Sequence, residues 1–180
     1  MIDAVTGFAN LLLLLAASFI FVFDQESQST CTCVKEPEAD RGKAVIFGEP
    51  VYVPALSFAF VQQETGLPVH PEWVKVFYSW EWIEYPYQEH PWGAWSTASE
   101  VWECQATGSK LEVAARTVRP RGWYAGKYTK WPWPKKPRFE EVSLRISMGG
   151  SRMNTFSFKP KELKRMARAV TTIQLSEPRP

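Results

Sequence analysis

Residues 142–158 read VSLRISMGGSRMNTFSF, and this stretch decides how the carboxyl half of the chain folds. Apolar side chains at positions 142, 144, 146 and 148 alternate with polar ones, and a period of two is typical of a half-buried strand. Gly149, Gly150 and Ser151 then favour a tight turn into the run 153–158. The stretch therefore predicts a β-hairpin.

Short apolar runs separated by Pro and Gly extend this pattern back to Ala44. They occupy residues 44–53 (interrupted at Gly48-Glu49-Pro50), 56–61, 74–82, 101–106 and 111–117. Gly108-Ser109 lies between the last two runs and predicts a second hairpin. Because no helical stretch separates the runs, their pairing is expected to be antiparallel.

The period changes after Lys159. Leu163, Met166, Ala167, Val170 and Ile173 follow helical spacing, and Pro160 stands where a first helical residue tolerates proline. We predict a helix over about 160–173, with the stripe Leu163, Met166 and Val170 packed on the chain's own sheet. The cations of the other face are predicted to contact a partner or lipid headgroups; they are Lys161, Lys164, Arg165 and Arg168.

These patterns predict a mainly β chain: an antiparallel roll or sandwich of about six or seven strands, followed by a carboxyl-terminal amphipathic helix. The order of strands and final helix loosely resembles pleckstrin-homology-like folds, as a resemblance of architecture alone.

The amino terminus has a different composition. Residues 4–23 read AVTGFANLLLLLAASFIFVF and carry no charge. Twenty helical residues span about 30 Å, the thickness of bilayer hydrocarbon, so we predict a single-span membrane anchor. A cleaved signal peptide competes with this interpretation, but no Lys or Arg precedes the core and no small-x-small cleavage site follows it. The small or polar residues Gly7, Ala9 and Asn10 are predicted to contact a neighbouring helix.

Behind the anchor we expect a polar linker over residues 24–43 and a β-rich domain over residues 44–180. Charge is unevenly divided: residues 1–104 hold 4 Lys+Arg against 14 Asp+Glu, and residues 105–180 hold 17 against 5. Lys35, Arg41 and Lys43 follow the anchor and no basic residue precedes it, which favours a cytoplasmic domain at a bacterial inner or organellar membrane. Against this, a sizeable domain behind an amino-terminal anchor is often exported.

Three Cys and two His offer little catalytic or metal chemistry. Cys31-Thr32-Cys33 leaves three alternatives open: free thiols, a disulfide to Cys104 or to a partner chain, or a metal site. His70 and His90 stand in no recognisable catalytic frame, and phosphate-binding loops are absent. We therefore predict no catalytic, cofactor-binding or metal-ligating residue.

Nine Trp remain to be placed. Trp80 and Trp82 share a strand face with Val74 and Val76, which indicates burial. The sequence WPWPKKP at 131–137 is too rich in Pro for a central strand, and its contact residues are predicted to be Trp131, Trp133, Lys135 and Lys136.

The sequence indicates a non-enzymatic, single-pass accessory subunit whose β domain docks on larger subunits of a membrane complex, such as a respiratory or photosynthetic one. The alternative is a tethered module for anionic lipid headgroups or glycans, since cations suit the former and Trp the latter. An enzyme of unrecognised type is a third alternative. Nucleic acid is disfavoured, because the cations are dispersed and an anchor is predicted.

Overall fold

The computed structural model describes residues 29–36, 44–84, 94–124, 136–149 and 153–176. These residues are mainly β, as predicted, but they form twelve strands instead of about six or seven, together with one short helix. The strands are β1 (Cys31–Lys35), β2 (Ala44–Phe47), β3 (Val51–Val53), β4 (Leu56–Gln62), β5 (Trp73–Glu84), β6 (Ala94–Cys104), β7 (Lys110–Val113), β8 (Arg116–Val118), β9 (Arg121–Tyr124), β10 (Arg138–Ser147), β11 (Met153–Phe158) and β12 (Thr171–Leu175); the helix is α1 (Pro160–Met166).

The largest sheet has five antiparallel strands in the order β1-β6-β5-β10-β11. Its β10–β11 pair confirms the hairpin predicted from residues 142–158, with Val142 opposite Phe158 and Ser147 opposite Met153. The interrupted run 44–53 forms two short strands, β2 and β3, which pair with β9 and β8.

A three-stranded sheet in the order β12-β4-β7 departs from the expected antiparallel pairing. β4 and β7 are antiparallel, but β12 lies parallel to β4, with Thr171 opposite Phe58 and Leu175 opposite Gln62. A parallel pair needs a crossover connection, and the chain between β4 and β12 includes most of the domain.

One hydrophobic core joins these sheets. Alternate residues of β5 point into it, and the predicted burial of Trp80 and Trp82 is confirmed at 2% and 7% exposure. β4 contributes Phe58, whose ring lies 5.9 Å from that of Phe158 on β11. Helix α1 contacts β10 and β4, so it covers the core between the two larger sheets.

The carboxyl-terminal helix is shorter than predicted. α1 ends at Met166, and the expected core residue Val170 is 58% exposed. Leu163 and Met166 are buried as predicted, whereas Ile173 is buried on β12. Thr171–Leu175 alternates in burial, and the edge of β4 gives it a hydrogen-bonded partner that a continued helix would not have.

The hairpin predicted at Gly108-Ser109 forms only as a tight turn, because β6 and β7 on either side of it do not pair with each other. β6 pairs with β1 and β5, whereas β7 pairs with β4 in the other sheet. Thr107 and Lys110 close a tight turn through reciprocal backbone hydrogen bonds, with Gly108 at φ 57°. This turn reverses the chain at an isolated antiparallel bridge and carries it from one sheet to the next.

Part of the expected linker belongs to the domain, because residues 31–35 form the edge strand β1. A disulfide joins Cys31 to Cys104 on the neighbouring β6, which leaves Cys33 as the free thiol among the described cysteines. The predicted anchor and its contact residues Gly7, Ala9 and Asn10 lie outside the described residues. Within the described ranges, no helix has the length and apolar character needed to cross a bilayer.

The five-stranded sheet has two distinguishable ends. At one, Cys31 and Val74 both lie opposite Cys104; at the other, Glu84 lies opposite Ala94. Val74 and Glu84 are ten residues apart on β5, which corresponds to roughly 33 Å. We call these the Cys104 end and the Glu84 end; the strand that follows the amino-terminal segment enters at the Cys104 end.

Candidate functional site

A cationic surface covers the outer side of α1 and the turn that follows it. Lys161, Lys164, Arg165 and Arg168 are all exposed, as predicted. None of them forms an ion pair with another described residue. The basic residues that do form ion pairs within the described ranges are Lys75, Arg116, Arg121, Lys136 and Lys159. We call the four exposed side chains the α1 cations.

Contacts at the start of α1 fix the helix that carries three of these cations. The Lys159 backbone N–H donates to Glu162 Oε2 over 2.7 Å, which satisfies the amino end of the helix. Lys159 Nζ lies 2.6 Å from Glu140 Oε1 and 3.2 Å from Glu141 Oε2 on β10. Hydrogen bonds to these two carboxylates raise the pKa of Lys159 above its ordinary value.

An apolar groove of about 320 Å³ begins beside the first residue of α1. The side chains on its rim include the exposed Lys136, which forms a 2.6 Å ion pair with Glu49. That hydrogen bond, followed by the positive charge of Lys136, lowers the pKa of Glu49. The groove is lined by Glu49, Val51, Lys136, Pro137, Arg138, Phe139 and Pro160. Since Arg138 lies opposite Glu81 of β5, the groove is toward the Glu84 end.

A second polar cluster surrounds Arg116 at the start of β8. Its guanidinium carbon lies 3.5 Å from the centre of the Trp102 ring and 4.9 Å from that of Tyr78. Arg116 Nη1 also donates to Glu100 Oε1 over 3.1 Å, and the Trp102 indole N–H donates to the same oxygen. The side chains of Arg116 and Glu100 are 18% and 25% exposed. We call these four residues the Arg116 cluster.

Tyr78 gives the Arg116 cluster its buried side. Its side chain is fully buried, and its hydroxyl has no hydrogen-bond partner among the described residues; the same holds for Arg116 Nε. Burial, partly offset by the positive charge of Arg116, raises the pKa of Tyr78 to about 12. The phenol therefore stays neutral across the physiological range.

A cleft of about 350 Å³ lies on another side of Arg116. Its walls come from the start of β1, from β4 and from the β7–β8 connection, and they include Cys31, Leu56, Ser57 and Glu112. Ser29 Oγ accepts a hydrogen bond from the Glu112 backbone N–H, which ties the chain before β1 to β7. Four of the nine residues that line this cleft are polar, and one of them, Arg116, is already paired with Glu100.

The structure places five of the eight predicted contact residues. Lys136 lies at the groove, and the α1 cations lie on the helix that begins there and, for Arg168, on the turn after it. Trp131, Trp133 and Lys135 are outside the described residues. The described strands on either side of that stretch include Trp123, whose ring lies 5.1 Å from Trp82, and Arg138, opposite Glu81, so both flanks lie toward the Glu84 end.

Sequence reasoning did not find the Arg116 cluster. If the alternation ran without a break from Leu111 to Thr117, the side chain at position 116 would point outward. In the structure the strand breaks between β7 and β8, and the residues that were expected to point outward after the break point inward. Val113 and Val118 are therefore both buried, and Thr117 is exposed. A shift of one residue moves every side chain to the opposite face. The available signal was on β6, where Glu100 and Trp102 are two residues apart and so share a face.

Among the described residues, no group of three or more His, Cys, Asp and Glu side chains is placed to hold a metal ion. His70 is exposed, and its Nδ1 lies 2.6 Å from the carbonyl oxygen of Gly108 at the turn before β7. No protein-family model, curated protein or solved structure matches this chain.

Proposed function

We propose that this chain is a non-enzymatic accessory subunit, tethered by a single membrane span at residues 4–23, whose β domain docks on an acidic surface of a larger membrane-protein subunit. The observation that carries the proposal is the set of α1 cations, four exposed positive charges without an ion-pair partner among the described residues. The larger subunit would belong to an energy-transducing membrane complex.

The rigidity of α1 supports a docking role. Leu163 and Met166 are buried beneath the helix, so its outer side chains project from a fixed support. An acidic partner would meet these cations without first breaking ion pairs of the described chain. Charged groups around an interface contribute mainly to the rate and specificity of association.

The neighbouring groove supplies an apolar component. Val51, Pro137, Phe139 and Pro160 line it beside Arg138 and the Lys136–Glu49 ion pair. Interfaces commonly combine an apolar centre with a polar rim. An acidic loop that carries one apolar side chain would match both parts of this surface.

The position of the surface favours a protein over lipid headgroups. Arg138 is level with Glu81, whereas the strand that follows the predicted anchor enters level with Val74. Seven residues of strand separate the two levels, or roughly 23 Å. The polar region on each side of a bilayer is only about 5–8 Å thick. An upright domain therefore presents the groove to the extramembrane part of a neighbouring subunit.

The second candidate is a tethered module for anionic lipid headgroups, because the α1 cations would suit phosphate as well as carboxylate. It requires the domain to lie on its side, so that α1 reaches the bilayer surface. Binding of the full-length chain to vesicles of phosphatidylglycerol, and not to phosphatidylcholine vesicles, would favour this candidate.

The test uses the full-length chain isolated from its native membrane in mild detergent. We expect a native mass larger than one chain. Treatment with a zero-length carbodiimide should couple Lys161 or Lys164 to a carboxylate of a co-isolated subunit, identified by mass spectrometry of the joined peptides.

Lys164→Glu/Arg165→Glu should weaken this association roughly tenfold, since two favourable charge contacts become repulsive. Lys35→Glu/Lys110→Glu is the matched control, because it makes the same charge change at two other exposed positions. Equal loss in both variants, or a lone monomer with no joined peptides, would contradict the proposal.

A further inference from the structure

We infer that oxidation of Cys31 and Cys104 is a maturation step of this protein, and that its β domain folds on the oxidising side of the membrane. The proposed docking partner would then expose its acidic surface on that same side. The disulfide inference itself rests on the strand register and does not depend on the docking proposal.

The register selects this pair of cysteines. Cys31 lies directly opposite Cys104 across the β1–β6 pair, with their Cα atoms 4.1 Å apart, and the two sulfur atoms are bonded. Cys104 is fully buried, and Cys31 is packed against the same core. Reduction would therefore leave two thiols next to each other at the edge of the core.

The third cysteine cannot replace Cys31 without a change of register. Cys33 lies opposite Trp102, two residues along β1, which corresponds to roughly 6.6 Å. Burial, followed by the negative charges of Glu100 and Glu36, raises the pKa of Cys33 above its ordinary value. The thiolate is the nucleophile in disulfide exchange. At neutral pH Cys33 is therefore mostly a thiol and reacts slowly with the Cys31–Cys104 disulfide.

The disulfide fastens the point where the amino-terminal segment joins the sheet. β1 is an edge strand, and it contacts the rest of the sheet through β6. The bond ties Cys31 to a residue 73 positions later in the chain. A force transmitted from a membrane anchor would therefore be carried by the disulfide as well as by the hydrogen bonds between β1 and β6.

Such bonds persist in exported compartments and are rare where thiol reductants are maintained. The count of basic residues after the anchor favours the opposite side of the membrane. The two criteria report different events. Basic residues beside the anchor influence the orientation in which it is inserted, whereas a buried structural disulfide requires that the domain fold in an oxidising compartment. We therefore infer the side of the membrane from the disulfide, and the labelling experiment below tests that inference.

The oxidant that we name by class is an exported oxidoreductase that carries a transferable disulfide. The thiolate of Cys31 attacks one sulfur of that disulfide, which forms a mixed disulfide and releases one oxidoreductase thiolate. The thiolate of Cys104 then attacks the Cys31 sulfur, forms the Cys31–Cys104 bond and releases the second oxidoreductase sulfur. The cysteine pair loses two electrons, the oxidoreductase becomes a dithiol, and the two cysteine protons pass through solvent to its thiolates.

The first measurement counts thiols in the full-length chain. Cells are quenched in acid, the denatured protein is treated with a high-mass maleimide, and gel shifts are compared before and after reduction. We expect one modified thiol before reduction and three after it. Cys33→Ser should give none before reduction and two after it, while Cys31→Ser should give two before reduction, because Cys33 does not substitute for Cys31.

The second measurement locates the domain with Leu67→Cys in a Cys33→Ser background. Leu67 is 62% exposed and distant in sequence from the cysteines, so the new thiol is accessible on the folded surface. We expect a membrane-impermeant maleimide to modify it while the host membrane is intact, and a cysteine in a protein known to lie on the reducing side to remain unmodified until the membrane is permeabilised.

Three modified thiols before reduction, or protection of Leu67→Cys until the membrane is permeabilised, would overturn the inference. A Cys33–Cys104 bond in the wild-type chain, identified by peptide mapping, would overturn the assignment of the pair. None of these outcomes bears on carbodiimide coupling of the α1 cations, so the inference and the docking proposal fail separately.

Discussion

Arg116 and the α1 cations carry the same kind of charge in opposite surroundings. Arg116 lies between two aromatic rings and donates to Glu100, with 18% of its side chain exposed. The α1 cations are exposed and have no ion-pair partner among the described residues. The first arrangement connects β8 to β5 and β6, and the second presents charge on the surface.

Burial and ion pairing, and not residue type, therefore separate a structural cation from one available for binding. Removing one member of a partly buried charge pair leaves its partner desolvated and uncompensated. Removing an exposed unpaired cation leaves no such group behind. The two regions should therefore respond oppositely in assays of stability and of association.

The largest effect is expected from the inner face of α1. Leu163→Asp removes a side chain that is 3% exposed and places a charge in the core. The lost burial alone costs about 2–5 kcal/mol, and the unpaired charge adds several more. We expect the full-length protein in detergent to lose its cooperative thermal transition by near-ultraviolet circular dichroism.

Arg168→Asp is the matched control, because it introduces the same side chain at an exposed position just beyond the helix. Its thermal transition should remain close to that of the wild type. If both variants melt alike, α1 does not have the buried and exposed faces that the comparison requires.

The next effect concerns the Arg116 cluster. Arg116→Met keeps a long side chain against Trp102 but leaves the Glu100 carboxylate without its cationic partner, at an expected cost of about 3 kcal/mol in the free energy of unfolding. Adding Glu100→Gln should recover part of that loss. Denaturant unfolding of the two single variants and the double variant gives the coupling energy, and a coupling near zero would show that the ion pair contributes nothing.

A smaller, pH-dependent effect follows from Tyr78. Because its pKa rises from 10.0 to about 12 on folding, the unfolded chain releases this proton first as pH increases. The contribution of this pKa difference to the free energy of unfolding is fully present below pH 10. It is lost as the pH rises toward 12, where the free energy of unfolding has fallen by roughly 2 kcal/mol.

Tyr78→Phe should lack this component, so the wild-type and variant unfolding free energies should converge or cross between pH 10 and 12. The substitution also removes a buried hydroxyl without a partner among the described residues, and it should cost little at pH 7. Parallel pH curves for the two proteins would contradict the proposed origin of the shift.

The sequence predicts the pairing of strands that are close together in the chain and does not predict the pairing of strands that are far apart. The β10–β11 hairpin was predictable because its alternation and its turn lie within 17 residues. β12 was not, since nothing near Thr171–Leu175 signals a parallel partner more than a hundred residues earlier in β4. Ile173 satisfies both the helical spacing from Leu163 and the alternation of a strand, and tertiary pairing decides between them.

The candidate site divides in the same way. Exposure of the cations on α1 followed from the apolar pair Leu163 and Met166 of a single helix and was predictable. The Arg116 cluster required the one-residue change of face between β7 and β8, and the disulfide required the β1–β6 register. Both depend on strands that meet only after the sheets have formed.

The smallest effect on stability is expected from the α1 cations themselves. Lys164 and Arg165 lie in the last turn of α1, where positive charge interacts favourably with the helix dipole, whereas Lys161 lies near its start. Such interactions are worth about 0.3–1 kcal/mol each at exposed sites and decrease with salt. Lys164→Gln/Arg165→Gln should therefore lower the free energy of unfolding by less than about 2 kcal/mol at low salt, and by a smaller amount at high salt. Lys161→Gln should be neutral or slightly stabilising, because it removes a cation from the unfavourable end. A loss comparable to that of Arg116→Met would show that these cations have structural partners, and the distinction between the two regions would then fail.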